Sequence, residues 1–203
     1  MSVLLVSTFL IGYLLGSIPF ALIVSLPRGV DPRKAGSGNP GATNVARLLG
    51  KKWGVITFLG DSGKGILAIA ITYLIAKKIH ATNLNELLAL AGTGAVLGHM
   101  FSLFLKFKGG KGVATTVGTF LILTPKAMLC SLVLFLLGVL ISGFVSVGSL
   151  LCAASLPLFV HLFGYPKSFL LASVLLGILI WIKHKDNIKR LLRGEEKTWK
   201  KRD

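Results

Sequence analysis

The chain has 203 residues, of which 53% are apolar and only 15% charged, and its mean hydropathy is +0.78. Soluble domains average about 25% charged residues, so a chain this poor in charge cannot cover a water-facing surface, and its hydrophobicity excludes disorder. The net charge of +16 would suggest nucleic acid in a soluble protein, but here the charges fall in a few loops between apolar runs. There they set membrane topology and attract anionic headgroups or anionic substrates, and no nucleic acid is expected.

The first apolar run, 3–25, has no Lys or Arg before it and Arg28, Arg33 and Lys34 after it. A cleavable signal places its basic residues first, so this run predicts a first membrane span with its N-terminus outside. The basic segment 26–52 then packs Gly36, Ser37, Gly38, Asn39, Gly41, Thr43, Asn44 and Arg47 into the thirteen positions 35–47. Gly36, Gly38 and Gly41 match G-x-G-x-x-G, but a dinucleotide fold needs a preceding strand and a βαβ unit, and a membrane span precedes this segment. The match is accidental, yet its physics holds. Glycines let backbone N–H groups approach an anion, the neutral side chains add donors, and Arg47 offers a bidentate contact to phosphate. The plainer reading is a turn-rich connector.

A second span, 53–76, contains Asp61 and Lys64, with Lys64 about 16 Å along a helix starting near Trp53 at 1.5 Å per residue. Charges inside a span mark function by default, although the i, i+3 spacing equally permits an ion pair that only fixes packing. A third span, 87–104, carries His99 and Ser102 three residues apart, on one face near its cytoplasmic end. They could touch substrate or hydrogen-bond a neighbouring helix. Lys106, Gly109, Gly110, Lys111 and Gly112 follow, just before another apolar helix. The N–H groups at that helix start, with Lys111, form an anion site. It is not a Walker A loop, because Gly112 stands where Ser or Thr follows the Lys. A positive-inside loop with glycine hinges is the alternative.

Residues 113–163 hold a single charge, Lys126, with breaks at Thr124-Pro125 and Ser142-Gly143. They fit one span with loops or three short spans of about seventeen residues. Ser142, Ser146 and Ser149 sit at the second break, either meeting a headgroup or bonding back to their own helix. The last span, 167–183, leads to His184, Asn187 and Arg190, whose spacing of three places them on one face as the helix leaves the bilayer. A polybasic tail on anionic lipid is the alternative there. Cys130 and Cys152 lie in apolar stretches and read as packing residues. The sequence has no C-x-x-C, H-E-x-x-H, G-x-S-x-G or H-x-x-x-x-D, so neither metal nor cofactor is expected.

Segments 26–52, 105–112 and 183–203 carry six, three and nine of the 23 basic residues. Placing all three in the cytoplasm satisfies the positive-inside rule and requires an odd number of crossings within 113–163. The expectation is an all-α, polytopic integral membrane helical bundle. It forms one domain over 1–203 with about seven transmembrane helices, N-out and C-in, or five if 113–163 crosses once. Three Gly/Asn/Lys/Arg/His-rich segments on one membrane face suit small phosphorylated molecules. An organic-phosphate transporter is the alternative, weakened by the lack of internal repeats; a scaffold would not need ordered Gly/Asn/His motifs.

Three segments carry a family resemblance: S-G-N-P-G-A-T-N-V-A-R at 37–47, G-H-M-F-S-L-F-L-K-F-K-G-G-K-G-V-A-T at 98–115, and H-K-D-N-I-K-R-L-L-R-G-E-E at 184–196. With G-S-I-P-F-A at 16–21 and the Asp61…Lys64-Gly65 pattern, the chain resembles the bacterial acyl-phosphate:glycerol-3-phosphate acyltransferases, the PlsY family, over nearly its whole length. The resemblance implies transfer of a fatty acyl group from acyl-phosphate to the 1-hydroxyl of sn-glycerol 3-phosphate, giving lysophosphatidic acid and phosphate. This is the first acylation of phospholipid biosynthesis. It implies a multi-pass protein of the bacterial inner membrane with its active site on the cytoplasmic side, near the soluble enzyme that makes acyl-phosphate. An acyl phosphate is a mixed anhydride with a good leaving group, so positioning and charge stabilisation suffice without a metal or an acyl-enzyme. The implied roles are phosphate cradles at Ser37–Thr43 and Gly109–Gly112, with Arg47, Lys106 and Arg190 on glycerol 3-phosphate. Asn44, Lys64, His99, Ser102, Lys111, Ser142 and Glu196 complete the substrate-binding set. His184, with Asn187, orients the hydroxyl and takes its proton, and a substrate phosphate oxygen is the rival base. Two positions depart from the family pattern: Gly143 replaces a basic residue, and Glu195 stands inside a Gly-Thr-Glu ending.

Overall fold

The computed structural model describes residues 2–199. Every regular element among them is helical, and the chain divides into two compact units that meet between Leu123 and Thr124 in sequence. The first unit contains α1 (Ser2–Ser17), α2 (Phe20–Ser25), α3 (Ala42–Leu49), α4 (Lys51–Lys78), α5 (Leu84–Met100) and α6 (Val113–Leu123), with 3-10 turns at Leu26–Arg28 and Leu103–Leu105. The second contains α7 (Pro125–Ser142), α8 (Val145–Leu162), α9 (Lys167–Lys183) and α10 (Lys185–Leu192).

The first apolar run is not one helix. Pro19 has no N–H to continue the ladder, so α1 stops at Ser17 and α2 restarts at Phe20. The Ile18 carbonyl is left at this break. The two pieces still form a span-length unit of 26 residues, Val3–Arg28. Helix α4, at 28 residues, is about 42 Å long and exceeds the ~30 Å hydrocarbon core. It carries Lys51 and Lys52 at one end and Lys77 and Lys78 at the other, side chains long enough to extend toward a headgroup layer.

Lipid tails are as apolar as leucine, so helices in a bilayer associate through close backbone packing rather than hydrophobic exclusion. The α1–α5 contact is built this way from both sides. Gly12 and Gly16 of α1 lie against the Ala91 and Ala95 backbone, and Gly94 and Gly98 of α5 lie against the Phe9 and Tyr13 backbone. Any side chain at Gly16 or Gly98 would collide with a carbonyl of the other helix. The α4–α6 contact repeats the principle with Gly65 against Thr115 and Thr119, Gly118 against Ser62, and Ser62 Oγ donating to the Ala114 carbonyl at 2.9 Å. In the second unit Gly138 of α7 and Gly148 of α8 play the same part.

Three helices fill 113–163, with breaks at Thr124-Pro125 and Ser142-Gly143 as the sequence marks them. Pro125 opens α7 at its first position, and Gly143, at φ 77°, closes it in the left-handed region. The three are unequal, however, at 11, 18 and 18 residues. Five segments are long and apolar enough to cross a membrane, and α9 with α10, bent by 54°, makes a sixth if taken as one span. Helix α6 is apolar but, at 11 residues, only about 16 Å long.

Candidate functional site

In the first unit the segment before α3 is shaped from within by Asn44, which is 1% exposed. Its amide donates to the Pro32 and Ala35 carbonyls at 2.8 and 3.0 Å, and its Oδ1 accepts from the Ser37 N–H at 2.8 Å. Gly36, at φ 65°, lies so close to Asn44 Oδ1 that a side chain would displace it. The side chain of Asn44, expected on substrate, therefore builds the loop that presents Ser37, Gly38 and Asn39. Ser37, Thr43 and Arg47 are exposed, while Asn39 and Gly41 are half-buried. Arg33 is engaged by the Asp31 carboxylate at 2.8 Å, and that bond holds Asp31 down at about 2. Arg47 has no acidic partner among the described residues.

The second loop begins where α5 ends. Phe101 closes the helix, so Ser102 lies beyond it in an extended conformation rather than on one helical face with His99, as the spacing of three suggested. Ser102 Oγ donates to the Ser17 carbonyl at 2.6 Å, which ties the loop to the end of α1. The chain then winds tightly, with the Phe107 N–H on the Ser102 carbonyl at 2.8 Å. Lys106 and Phe107 take φ of 51° and 63°, a left-handed conformation uncommon for such residues and concentrated at functional sites. Lys106 is exposed and, like Arg47, has no acidic partner among the described residues. Gly109 and Gly110 pass directly over His99, and the Gly110 N–H donates to the His99 carbonyl at 3.0 Å. The Pro40 carbonyl of the first loop lies on the same side of Gly110 as the His99 ring, so the two glycine-rich loops converge there. Beneath them Ala21, Leu22, Val24 and Val45 form an apolar cluster against which Leu105 packs, anchoring the residues next to Asn44 and Lys106. Gly112 and half-buried Lys111 lead into α6.

Under the loops lies the charged pair of α4. Lys64 is 4% and Asp61 1% exposed, and Lys64 Nζ stands 2.9 Å from Asp61 Oδ1. Nζ also donates to the Ile18 carbonyl at 2.9 Å and meets His99 Nδ1 at 3.0 Å. Asp61, the Ile18 carbonyl and His99 surround the ammonium, so Lys64 is engaged by its own protein neighbours in this structure. Asp61 was visible in the sequence, but the Ile18 carbonyl was not: its only signal was Pro19 within the first apolar run.

The second unit holds the other polar set. Helix α9 ends at Lys183, and His184 sits at the 54° bend with φ −95° and ψ 5°. His184, Asn187 and Arg190 therefore do not share one continuous helix face; His184 is the corner and the other two belong to α10. His184 is 2% exposed, and its Nδ1–H donates to the Ile180 carbonyl at 2.8 Å, which sets the tautomer of the ring. Glu196 gathers Ser146 at 2.9 Å, Arg190 at 2.8 Å and the Asn187 amide. Burial pushes the Glu196 carboxyl up, but the Asn187, Arg190 and Ser146 donors outweigh it and hold the group below the usual range. Thr198 Oγ1 and the Trp199 N–H both donate to the Gly143 carbonyl, at 3.0 and 3.1 Å. Ser142 and Ser149 bond back to the carbonyls of Gly138 and Val145, so of the three serines only Ser146 bonds to another segment among the described residues.

The family model described as glycerol-3-phosphate acyltransferase matches residues 6–194. A glycerol-3-phosphate acyltransferase of Desulfotalea psychrophila is 49% identical over 193 residues, covering 95% of this chain and 97% of that protein. One of Carboxydothermus hydrogenoformans is 44% identical over 92% of each chain. Among solved structures, PlsY (YgiH), an integral membrane glycerol 3-phosphate acyltransferase in its glycerol 3-phosphate form, matches with a TM-score of 0.88. It is 39% identical over 97% of this chain and 96% of that one. The lysophosphatidic acid form of PlsY matches with a TM-score of 0.86 at the same identity, covering 97% and 95%.

Proposed function

Because the chain belongs to the glycerol-3-phosphate acyltransferase family and is an integral membrane protein, we propose that its acyl donor is an acyl-phosphate, its acceptor the 1-hydroxyl of sn-glycerol 3-phosphate, and its products lysophosphatidic acid and inorganic phosphate. The hydroxyl oxygen forms the new ester bond to the acyl carbon. The bond from that carbon to the phosphate oxygen breaks, and the phosphate leaves with the electron pair.

The observation that carries this reading is the convergence of two glycine-rich loops beside Arg47 and Lys106, cations with no acidic partner among the described residues. Two phosphorylated substrates call for two anion-holding elements. A phosphate leaving group gains most from fixed N–H donors and cations as its charge develops. Ser37–Thr43 and Gly109–Gly112 are the cradles, Arg47 and Lys106 the cations. In the second unit the Nδ1–H bond to Ile180 orients the His184 ring, and His184 is the base proposed for the hydroxyl proton. Asn187 and Arg190 are held in place by Glu196. No step needs a thiol: Cys130 and Cys152 lie within apolar helices.

The basic segments support a position for these loops on the cytoplasmic face of the bacterial inner membrane, as the positive-inside rule expects. Their positive charge also suits them to receive the donor from the soluble enzyme that makes it. The test is phosphate release by purified protein in detergent, with palmitoyl phosphate and glycerol 3-phosphate. Release that needs both substrates, with lysophosphatidic acid formed, is the expected result. Release without glycerol 3-phosphate identifies a hydrolase, and transfer only from palmitoyl-CoA overturns the proposed donor.

A further inference from the structure

The first two spans meet at a group of cations that the proposed reaction does not use. The span Val3–Arg28 closes on Arg28, and α4 opens with Lys51, Lys52 and Trp53. The Arg28 guanidinium lies over the Trp53 indole, its Cζ 3.1 Å from the ring centroid, and Lys52 Nζ stands 5.3 Å from the same centroid. One Arg28 nitrogen donates to the Val24 carbonyl, and the remaining N–H bonds of the guanidinium meet no acceptor among the described residues. Trp53 is half-buried and packs, with Leu49 and Leu105, on the cluster of Ala21, Leu22, Val24 and Val45, so the indole is a fixed platform. Arg28, Lys51 and Lys52 are exposed and have no acidic partner among the described residues. The first turn of α4 holds no acid, and the positive end of the helix dipole adds to the charge. The fold therefore gathers three like charges here and neutralises none of them.

One turn further along α4 the surface changes character. Val55 follows Lys51 and Ile56 follows Lys52 at i, i+4, and Leu59 continues the same face; all three are exposed. A ligand that satisfies this surface carries negative charge at one end and hydrocarbon directly beneath it. A free phosphate would meet only the cations. We propose that Arg28, Lys51 and Lys52, steadied by Trp53, form a headgroup site for an anionic diacyl phospholipid of the surrounding leaflet. Its phosphate oxygens accept from the guanidinium and the ammonium groups, and an acyl chain runs along Val55, Ile56 and Leu59. A Trp with Arg and Lys at the end of a span is suited to this depth, where one edge of the ring is apolar and the other wet. The inference stands apart from the acyl-donor reading, because none of these residues belongs to the proposed phosphate cradles.

The test measures retention of dioleoyl phosphatidylglycerol against dioleoyl phosphatidylcholine by purified full-length protein in detergent, read by native mass spectrometry. Four proteins are compared: wild type, Arg28→Gln/Lys52→Gln, Trp53→Leu, and Lys77→Gln/Lys78→Gln. The last removes the same charge from the opposite end of α4. Wild type is expected to prefer the anionic lipid. At about fivefold per cation near a lipid surface, Arg28→Gln/Lys52→Gln is expected to lose about 10- to 30-fold of that preference, while Lys77→Gln/Lys78→Gln keeps it within about twofold. Trp53→Leu retains every charge but frees the guanidinium, so it is expected to lose part of the preference. Equal retention of the two lipids by wild type overturns the proposal, as does an equal loss in the two doubly neutral variants, which would mean diffuse attraction. Wild-type preference in Trp53→Leu overturns the built site. If Trp53→Leu does not fold, the comparison of the two Gln pairs decides. Displacement of the lipid by millimolar inorganic phosphate would identify a free-phosphate site and overturn the assignment to lipid.

Discussion

Asn44, Lys64 and Glu196 share a chemistry: each is a polar side chain whose hydrogen-bonding groups are turned inward to hold other segments in place. The sequence identified them as polar residues in unusual positions and assigned them to substrate; the part they play in holding the fold was not legible in it, for a physical reason. The partners of Asn44 and Lys64 are the backbone carbonyls of Pro32, Ala35 and Ile18, and every residue carries a carbonyl, so no residue pattern announces which one packing will deliver. For His184 the structure adds the Nδ1–H bond to the Ile180 carbonyl, which the sequence did not show. Replacing His184 with Ala is expected to lower kcat about 10²–10⁴-fold, the usual contribution of a positioned base, with KM for glycerol 3-phosphate little changed. Steady-state rates at saturating donor check this, and an unchanged kcat would transfer the base role to a substrate phosphate.

At the scale of elements, two contacts make opposite demands on the chain. The α1–α5 crossing leaves no room for a methyl group at Gly98, whereas nothing lies within 4 Å of the corresponding position at Gly63 in α4. Gly98→Leu should therefore cost about 1–3 kcal/mol by overpacking. Gly63→Ala should be neutral or gain up to ~1 kcal/mol in helix propensity. Thermal unfolding in detergent separates the two, and equal midpoints would contradict the packing described. The tail following α10 is held by charge rather than by close packing. Glu196 has its carboxyl held below its ordinary value near 4.5, so the ionised form is the one its folded partners favour. Its stabilisation is complete above that value and is lost as pH falls through the lowered one. Limited trypsin cleavage around Arg193 and Lys197 should be slow at pH 7 in the wild type and fast in Glu196→Gln. Binding of Trp199 to the Gly143 carbonyl should weaken in parallel, read as faster amide exchange.

For the whole molecule, the apolar runs and their polar punctuation were legible because a bilayer imposes one demand on every span, some twenty apolar residues with all backbone groups satisfied. Helices at 51–78, 84–100 and 167–183 follow from that alone. The Pro19 break and the unequal division of 113–163 do not follow from hydropathy, although Thr124-Pro125 and Ser142-Gly143 already marked 11 and 18 residues rather than equal thirds. The basic segments make a further prediction. In a background with Cys130 and Cys152 replaced by Ala, a cysteine at Ser37 or Lys108 should react with an impermeant maleimide only in inverted vesicles. A cysteine at Lys78 should react only in right-side-out cells. Labelling of Ser37→Cys from outside would reverse the orientation.

Helix α6 rises about 16 Å, roughly half the depth of a hydrocarbon core. A helix that short cannot have both ends at the two surfaces, so either the bilayer thins around it or one flanking segment lies well below the headgroups. The glycine-rich turn at 109–112 is one of those flanks. Under the donor proposed above, a water-soluble alcohol has to meet an anhydride dissolved by its own tail, although each is ordinarily confined to its own phase. A truncated helix is where water and hydrocarbon would come close together at a fixed address, which would make the boundary between phases part of the catalyst.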